Sequence, residues 1–211
     1  MDIYFIRHGE PNYEYDSLTQ TGHFQAEKTA ESLSKIPFNR VFASSMNRAI
    51  ETARHLTNKT GQEITAFDWA REDKTWSCLS DVDENDNRRW FFDVKKNRDI
   101  LTKELGNNEW YKFFPTCFKE LLDEDGKEID KWLLTLNIIH KDGNYLVKGK
   151  SPKAVAFFAH GGFGLVFYSH ILGLDYPTVL FKYGQQKLCG VAHFKITNNG
   201  VELIEHNKTH Y

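Results

Sequence analysis

The sequence predicts an α/β fold, a mostly parallel sheet flanked by helices in a three-layer sandwich, with a mainly helical insertion beside the functional site. Three observations predict it. Strand-like and helix-like segments alternate from residue 2 to residue 67, and the alternation resumes at residue 155. Between them lies a stretch of different character, in which aromatic residues sit among charges. Alternation of this kind is the pattern of parallel strands joined by crossover helices.

Residues 2–6, rich in Ile, Tyr and Phe, read as a short buried strand that ends at Arg7-His8-Gly9. A polar, turn-prone loop follows from Pro11 to Gln20, with Gly22 close to a helix start. Ala26, Ala30 and Leu33 then recur at i, i+4 and i+7, the core face of an amphipathic helix that ends before Pro37. Arg40 to Ala43 is a second strand. Ser44-Ser45 supplies N-cap candidates for a helix carrying Ala49, Ala53 and Leu56 at the same spacing. Ile64 to Phe67 is a third strand.

Late in the chain, Val155 to Ala159 is a continuous apolar strand, followed by His160-Gly161-Gly162 and an apolar segment from Phe163 to Leu172. Val191 to Thr197 and Val201 to Glu205 flank Asn198-Asn199-Gly200, a closing β-hairpin. In the middle stretch, about 74–150, Phe114, Phe118, Leu121 and Leu122 fit one helical face and Ile129, Trp132, Leu133 and Leu136 another. There is no repeat, no low-complexity run and no Gly/Pro/Ser-rich linker, so residues 1–211 are read as a single domain with this insertion.

A net charge of -2 on 211 residues excludes nucleic-acid binding by bulk electrostatics but leaves room for a local basic pocket. Cys78, Cys117 and Cys189 are odd in number and widely spaced, which suggests neither a disulfide framework nor a Cys-based zinc site. They read as three ordinary thiols in a reducing compartment. The apolar opening is cut short by Arg7, too soon for a signal core, and no stretch has the length of a membrane span. The expectation is a cytoplasmic enzyme with no nucleic-acid or membrane partner; oligomeric state is left open.

The chemistry gathers at two places. Arg7-His8-Gly9-Glu10 follows a strand directly, and strand ends are where ligand sites form in open α/β sheets. An imidazole is nucleophilic at neutral pH, and a neighbouring guanidinium holds phosphate oxygens bidentately. The same strand-His-Gly architecture recurs at Ala159-His160-Gly161-Gly162, where amides near Gly161 are able to face an anion. Two such units imply two imidazoles meeting across one pocket. Arg48, near a helix N-terminus, is a third cationic donor for the same anion.

These residues resemble the histidine phosphatase superfamily, which includes the cofactor-dependent phosphoglycerate mutases. The resemblance rests on Arg7-His8-Gly9-Glu10, on Leu18-Thr19 with Gly22 and Gln25-Ala26, on Ser44-Ser45 followed by Arg48-Ala49 and Thr52-Ala53, and on Ala159-His160-Gly161-Gly162. It implies that His8 becomes phosphorylated, that Arg7, Arg48, His160 and Gly161 bind the phosphoryl oxygens, and that His160 also serves in catalysis. It also implies that no metal or other cofactor takes part. A carboxylate after the third strand protonates the leaving group in this family; here Glu72 lies nearest the usual position, with Asp73 as its rival. Trp69 and Trp76 read either as raising that acid's proton affinity or as core.

The loop from Glu10 to Leu18 is short and tyrosine-rich, unlike that of the mutases, and no role passes to Asn12. The resemblance therefore implies a phosphomonoesterase acting on a small phosphorylated molecule. The alternatives are a mutase of the same chemistry and a non-catalytic module that holds a phosphorylated ligand. Gly162-Phe163-Gly164 is no dinucleotide fingerprint, because Phe167 stands where the third glycine belongs. His23, His55, His140, His170, His193, His206 and His210 show no metal-ligand spacing and read as solvent-facing or structural. The aromatics around Trp90 and Trp110 read as the insertion's own core, the alternative being a cap on the pocket.

Overall fold

A computed structural model describes residues 1–104, 109–141 and 143–211. The chain runs through β1 (Asp2–Arg7), a small hairpin of β2 (Pro11–Asn12) and β3 (Ser17–Leu18), α1 (Gln20–Leu33), β4 (Arg40–Ser44), α2 (Asn47–Thr60) and β5 (Ile64–Phe67). The insertion holds α3 (Glu72–Cys78), a hairpin of β6 (Ser80–Val82) and β7 (Arg88–Trp90), α4 (Lys95–Lys103), α5 (Cys117–Thr135) and a hairpin of β8 (Ile138–Lys141) and β9 (Asn144–Val147). The chain closes with β10 (Ala154–Ala159), α6 (Gly161–Leu172), α7 (Tyr176–Tyr183), β11 (Val191–Thr197) and β12 (Gly200–Lys208).

The main sheet has the order β12-β11-β1-β10-β4-β5. β1, β10, β4 and β5 are mutually parallel, and the β11–β12 hairpin adds an antiparallel edge against β1. Period-2 alternation sorts the side chains. Ile6, Val41, Ala43, Ala156 and Phe158 face Ala30, Leu33, Ala53 and Leu56 of α1 and α2. Ile3, Phe5, Phe42, Val155 and Phe157 face the other way, into a core with residues of α5, α6 and α7. Every residue of β10 is buried, as its unbroken apolar run requires of a strand covered on both faces.

Register decides where the functional residues fall. Arg7 pairs with Ala159 at the end of β1 and β10, so His8 and His160 are the next residues out on neighbouring strands. Ser44 pairs with Phe67 at the same edge, which brings Arg48 and Glu72 to it within two short connections.

Several expectations change. The two aromatic and aliphatic stripes in the middle stretch belong largely to one helix of 19 residues, α5, whose Phe118, Leu121, Ile129, Trp132 and Leu133 are buried. The insertion also carries two hairpins whose strands, three or four residues long, are too short for a readable periodicity. Ser44 and Ser45 do not cap α2: its N-cap is Met46, and the free Asn47 amide donates to Asp16 Oδ2 at 2.7 Å from the preceding loop. The three cysteines are not all thiols. Cys78 and Cys117 form a disulfide, leaving Cys189 buried and free. The two lie 39 residues apart, and only the docking of the α5 N-terminus on the α3 C-terminus makes them neighbours. That pairing removes one argument for a reducing compartment. Among the described residues, no helix is long and apolar enough to cross a membrane.

Candidate active site

The loop after β1 is built from the residues around it. The Gly9 amide donates to Thr52 Oγ1 at 3.1 Å and the Glu10 amide to Gln25 Oε1 at 2.8 Å. Thr19 caps α1 by accepting from the Gly22 amide at 3.0 Å. Gly9 and Gly22 pass so closely that a Cβ on Gly9 would lie 2.5 Å from the Gly22 carbonyl oxygen. Thr19, Gly22, Gln25 and Thr52 thus position the histidine loop rather than take part in chemistry.

His8 is fully buried, and its Nδ1–H donates to its neighbour's carbonyl, Gly9 O, at 2.7 Å. That bond leaves the lone pair on Nε2, which finds no partner among the described residues. Burial first, then the Arg7 and Arg48 guanidiniums, push the His8 pKa down to about 3. At neutral pH the ring is therefore uncharged, and its Nε2 lone pair is available without help from a base.

His160 is equally buried, with its ring centroid 5.3 Å from that of His8 at an angle of 59°. Its Nε2 meets Ser44 Oγ at 2.8 Å, and burial followed by Arg48 holds its pKa well below the usual value. Its Nδ1 has no hydrogen-bond partner among the described residues and lies 3.8 Å from Glu72 Oε2. Arg7 Nη1 donates to Gln186 O at 2.6 Å, and its guanidinium lies against Gly161, where a Cβ would come within 3.0 Å of Cζ. Arg48 reaches Asp16 through Nη1 and Glu72 Oε2 at 3.2 Å through Nη2. The Nε atoms of both arginines are buried and have no hydrogen-bond partner among the described residues.

Glu72 opens α3, with Oε1 accepting the Gly162 amide at 2.7 Å. Its side chain is 9% exposed; that of Asp73 is 49% exposed. Asp73 turns away to Arg71 at 2.8 Å, and that bond holds its carboxyl below the usual range. Glu72 lies among His160, Arg48 and Gly162, whereas Asp73 pairs with Arg71 and lines the adjoining cavity. Trp69 packs on Phe157 and Phe163 as core, whereas Trp76 stands edge-on to Trp90 at 4.7 Å in the wall of the cavity above the site.

That cavity, about 580 Å³, is also lined by Tyr13, Arg88 and Arg89. A Cβ on Gly162 would fall 2.4 Å from the Trp90 ring, so the hairpin leans directly on the second His-Gly-Gly turn. His8, Glu72 and His160 offer donor atoms within 4.8 Å of one another, a possible metal-ligand set. Two guanidiniums on the same site raise its positive potential, which favours an anion over a cation there.

His8, Arg7, Arg48, Glu72, His160 and Gly161 are thus brought together. Missed by sequence reasoning were Asp16 and Gln186, which hold the two arginines, Ser44, which holds His160, and Arg88 and Arg89 in the cavity wall; Trp90, read as insertion core or as a cap on the pocket, both packs against the core and lines the cavity. The adjacent Arg88-Arg89 pair was the one readable signal among them.

The sequence profile of the histidine phosphatase superfamily, branch 1, matches residues 3–108. The chain belongs to this superfamily. Solved histidine phosphatase structures share its fold at low identity. A mycobacterial glucosyl-3-phosphoglycerate phosphatase is 16% identical over 99% of each chain, with a TM-score of 0.64. A phosphoserine phosphatase from Entamoeba histolytica, solved with 3-phosphoglyceric acid, is 20% identical over 99% of this chain and 97% of that one, with a TM-score of 0.66. An alpha-ribazole phosphatase from Shigella flexneri is 15% identical over 99% and 96%, with a TM-score of 0.61. No curated protein sequence matches the chain. Superfamily membership thus rests on the N-terminal half, which carries Arg7, His8, Arg48 and Glu72, while the likeness of fold extends through the half that carries His160.

Proposed function

We propose that the protein hydrolyses phosphate monoesters of small molecules through a covalent phosphohistidine on His8. One observation carries this reading: His8 Nε2, His160 Nδ1 and the Nε atoms of Arg7 and Arg48 are all buried without a hydrogen-bond partner among the described residues. Three nitrogens able to donate, on residues whose rings or charges act on His8, suit a tetrahedral dianion whose oxygens satisfy the donors while its phosphorus meets the His8 lone pair.

In the first step the Nε2 lone pair attacks phosphorus in line, the bond to the leaving oxygen breaks, and the Glu72 carboxyl gives its proton to that oxygen. In the second, the Glu72 carboxylate takes a proton from water as the water oxygen attacks phosphorus, the P–N bond breaks, and neutral His8 and inorganic phosphate result. Arg7, Arg48, His160 and the amides at Gly161 stabilise charge on the transferring oxygens throughout, which is most of what phosphoryl transfer asks of a protein. No step calls for a metal ion or another cofactor.

The substrate is a small phosphorylated molecule with a second anionic group. Arg88 and Arg89 line the cavity together with the carboxylates of Asp73 and Asp93, and Tyr13, Trp76 and Trp90 give it aromatic walls. Two of the structural neighbours are named for phosphorylated carboxylic acids, phosphoserine and glucosyl-3-phosphoglycerate.

The test is hydrolysis of a chromogenic aryl phosphate in excess chelator, by wild type and His8→Ala, with acid-quenched samples probed for acid-labile phosphohistidine. Phosphate release that survives chelation and vanishes with His8 supports the reading. Transfer to a second alcohol without phosphate release would indicate a mutase instead, and an undiminished His8→Ala variant would remove His8 from the mechanism.

A further inference from the structure

Away from the active site, three donors from three elements meet at one point. Asp130 of α5 accepts at Oδ1 from His140 Nδ1 of β8 at 2.8 Å and from His170 Nε2 in the last turn of α6 at 2.7 Å. His170 is nine residues along α6 from Gly161, about 14 Å at the helical rise, so the cluster is remote from the phosphoryl site.

The surroundings fix both rings. His140 stacks on Tyr145 with centroids 4.5 Å apart and planes at 15°, and Tyr145 donates to Ile171 O at 2.6 Å, beside His170. His170 lies against Gly126, in the middle of α5, where a Cβ would come 2.9 Å from its Nδ1. Glycine inside a helix costs about 1 kcal/mol relative to alanine, and here its bare Cα makes room for the imidazole. A ring that served only to cover surface would need no such clearance.

We propose that Asp130, His140 and His170 form a site for a divalent transition metal of the zinc class, independent of the phosphatase chemistry. Two imidazole nitrogens and one carboxylate oxygen are the donor set zinc takes, and all lie within 4.8 Å of one another. Each N···O separation must open by about half an ångström to reach the edge of a tetrahedron with bonds of about 2.0–2.1 Å. Binding through His140 Nδ1 and His170 Nε2 requires lone pairs there, so each neutral ring shifts its proton to its other nitrogen and none is released. The fourth position falls to water, because the Asp130 side chain is 39% exposed. A metal here pins the β8–β9 hairpin and α5 to the end of α6. Sequence spacing gave no sign of it, since the donors meet only through tertiary packing.

The test is equilibrium dialysis of the chelator-stripped full chain against zinc, with cobalt as a spectroscopic probe. Wild type, the double variant His140→Ala/His170→Ala, Asp130→Asn and His8→Ala are compared. The expected result is one equivalent of zinc in wild type and His8→Ala, with tetrahedral cobalt bands and a raised melting temperature in both. Affinity should fall at least a hundredfold in the double variant and at least tenfold in Asp130→Asn, which keeps an amide of the same shape should the double variant fold poorly. Absence of zinc uptake by wild type, retention of affinity in both cluster variants, or loss in His8→Ala would each overturn the assignment.

Discussion

Replacing Glu72 by Gln separates proton transfer from positioning. Gln keeps the shape and an acceptor for the Gly162 amide at 2.7 Å, but its NH2 then faces Arg48 Nη2, which lies 3.2 Å from Glu72 Oε2. The donor-to-donor contact leaves a buried group unsatisfied, at a cost of about 1–3 kcal/mol that is felt whatever the substrate. Loss of the proton is felt selectively. General acid catalysis contributes roughly 10²–10⁴-fold, or about 3–5 kcal/mol of barrier, and an alkoxide needs it while a nitrophenolate does not. The expected outcome is a loss of roughly 10²–10⁴-fold in kcat/KM on an alkyl phosphate and far less on nitrophenyl phosphate. The second step needs Glu72 as base for either substrate, so the variant should release one rapid equivalent of nitrophenolate and accumulate phosphohistidine. Rapid-quench and stopped-flow measurements on the two substrates decide it. Equal losses without a burst would refute the reasoning and reduce Glu72 to a holder of Arg48.

Stability should also carry the mark of the buried nucleophile. With its pKa lowered from 6.5 to about 3, His8 takes up a proton on unfolding between those values, so stability rises with pH across that window. Denaturant melts of His8→Asn at pH 4 to 6 in phosphate-free buffer should show a slope smaller by on the order of 1.4 kcal/mol per pH unit; an unchanged slope would mean that His8 is not buried neutral. Arg88→Ala and Arg89→Ala should raise KM about 10–100-fold for substrates with a second anion, the equivalent of about 1.5–3 kcal/mol for a hydrogen bond to a charged group. Their KM for phenyl phosphate should be nearly unchanged, and equal effects on both would count against a second anion subsite. Reducing Cys78–Cys117, which closes a loop of 39 residues, should lower stability by about 4 kcal/mol, read as a fall in denaturation midpoint that Cys78→Ser reproduces.

The residues legible in the sequence are those whose partners are local or lie on unbroken apolar strands. β10 reads as AVAFFA because both its faces are covered, and the strand that precedes Arg7 is nearly as plain. Their shared parallel register does the rest, carrying His8 and His160 to one edge. What could not be read depends on contacts across the chain. Ser44 precedes a helix and reads as a cap, yet its hydroxyl serves His160, while the capping falls to Asp16, 31 residues before Asn47. β7 is three residues, Arg88 to Trp90, two of them charged, which leaves no periodicity to find. Cys78 and Cys117 pair because α3 and α5 dock, and spacing alone carries no trace of docking.

The groups assigned to the chemistry come from two parts of the fold. Arg7 ends a strand of the main sheet, His8 and His160 directly follow strands of it and Arg48 lies in the first turn of the helix after another, whereas Glu72 starts the insertion. Its helix is fixed at the first turn by the Gly162 amide and Met46 Sδ and at the last by the bond from Cys78 to α5. The chain then passes at once into the β6–β7 hairpin, which the Phe91 amide ties back to Leu79 O at 2.6 Å. A ligand that engages Arg88, Arg89 or Trp90 therefore loads the segment that carries the acid, and Trp90 bears on Gly162, whose amide Glu72 accepts. On the proposed mechanism, substrate recognition and leaving-group protonation are mechanically joined, while His8 stands apart on the sheet. Changes in the hairpin should accordingly move kcat along with KM for substrates that need the acid, and leave formation of phosphohistidine from activated aryl esters largely untouched.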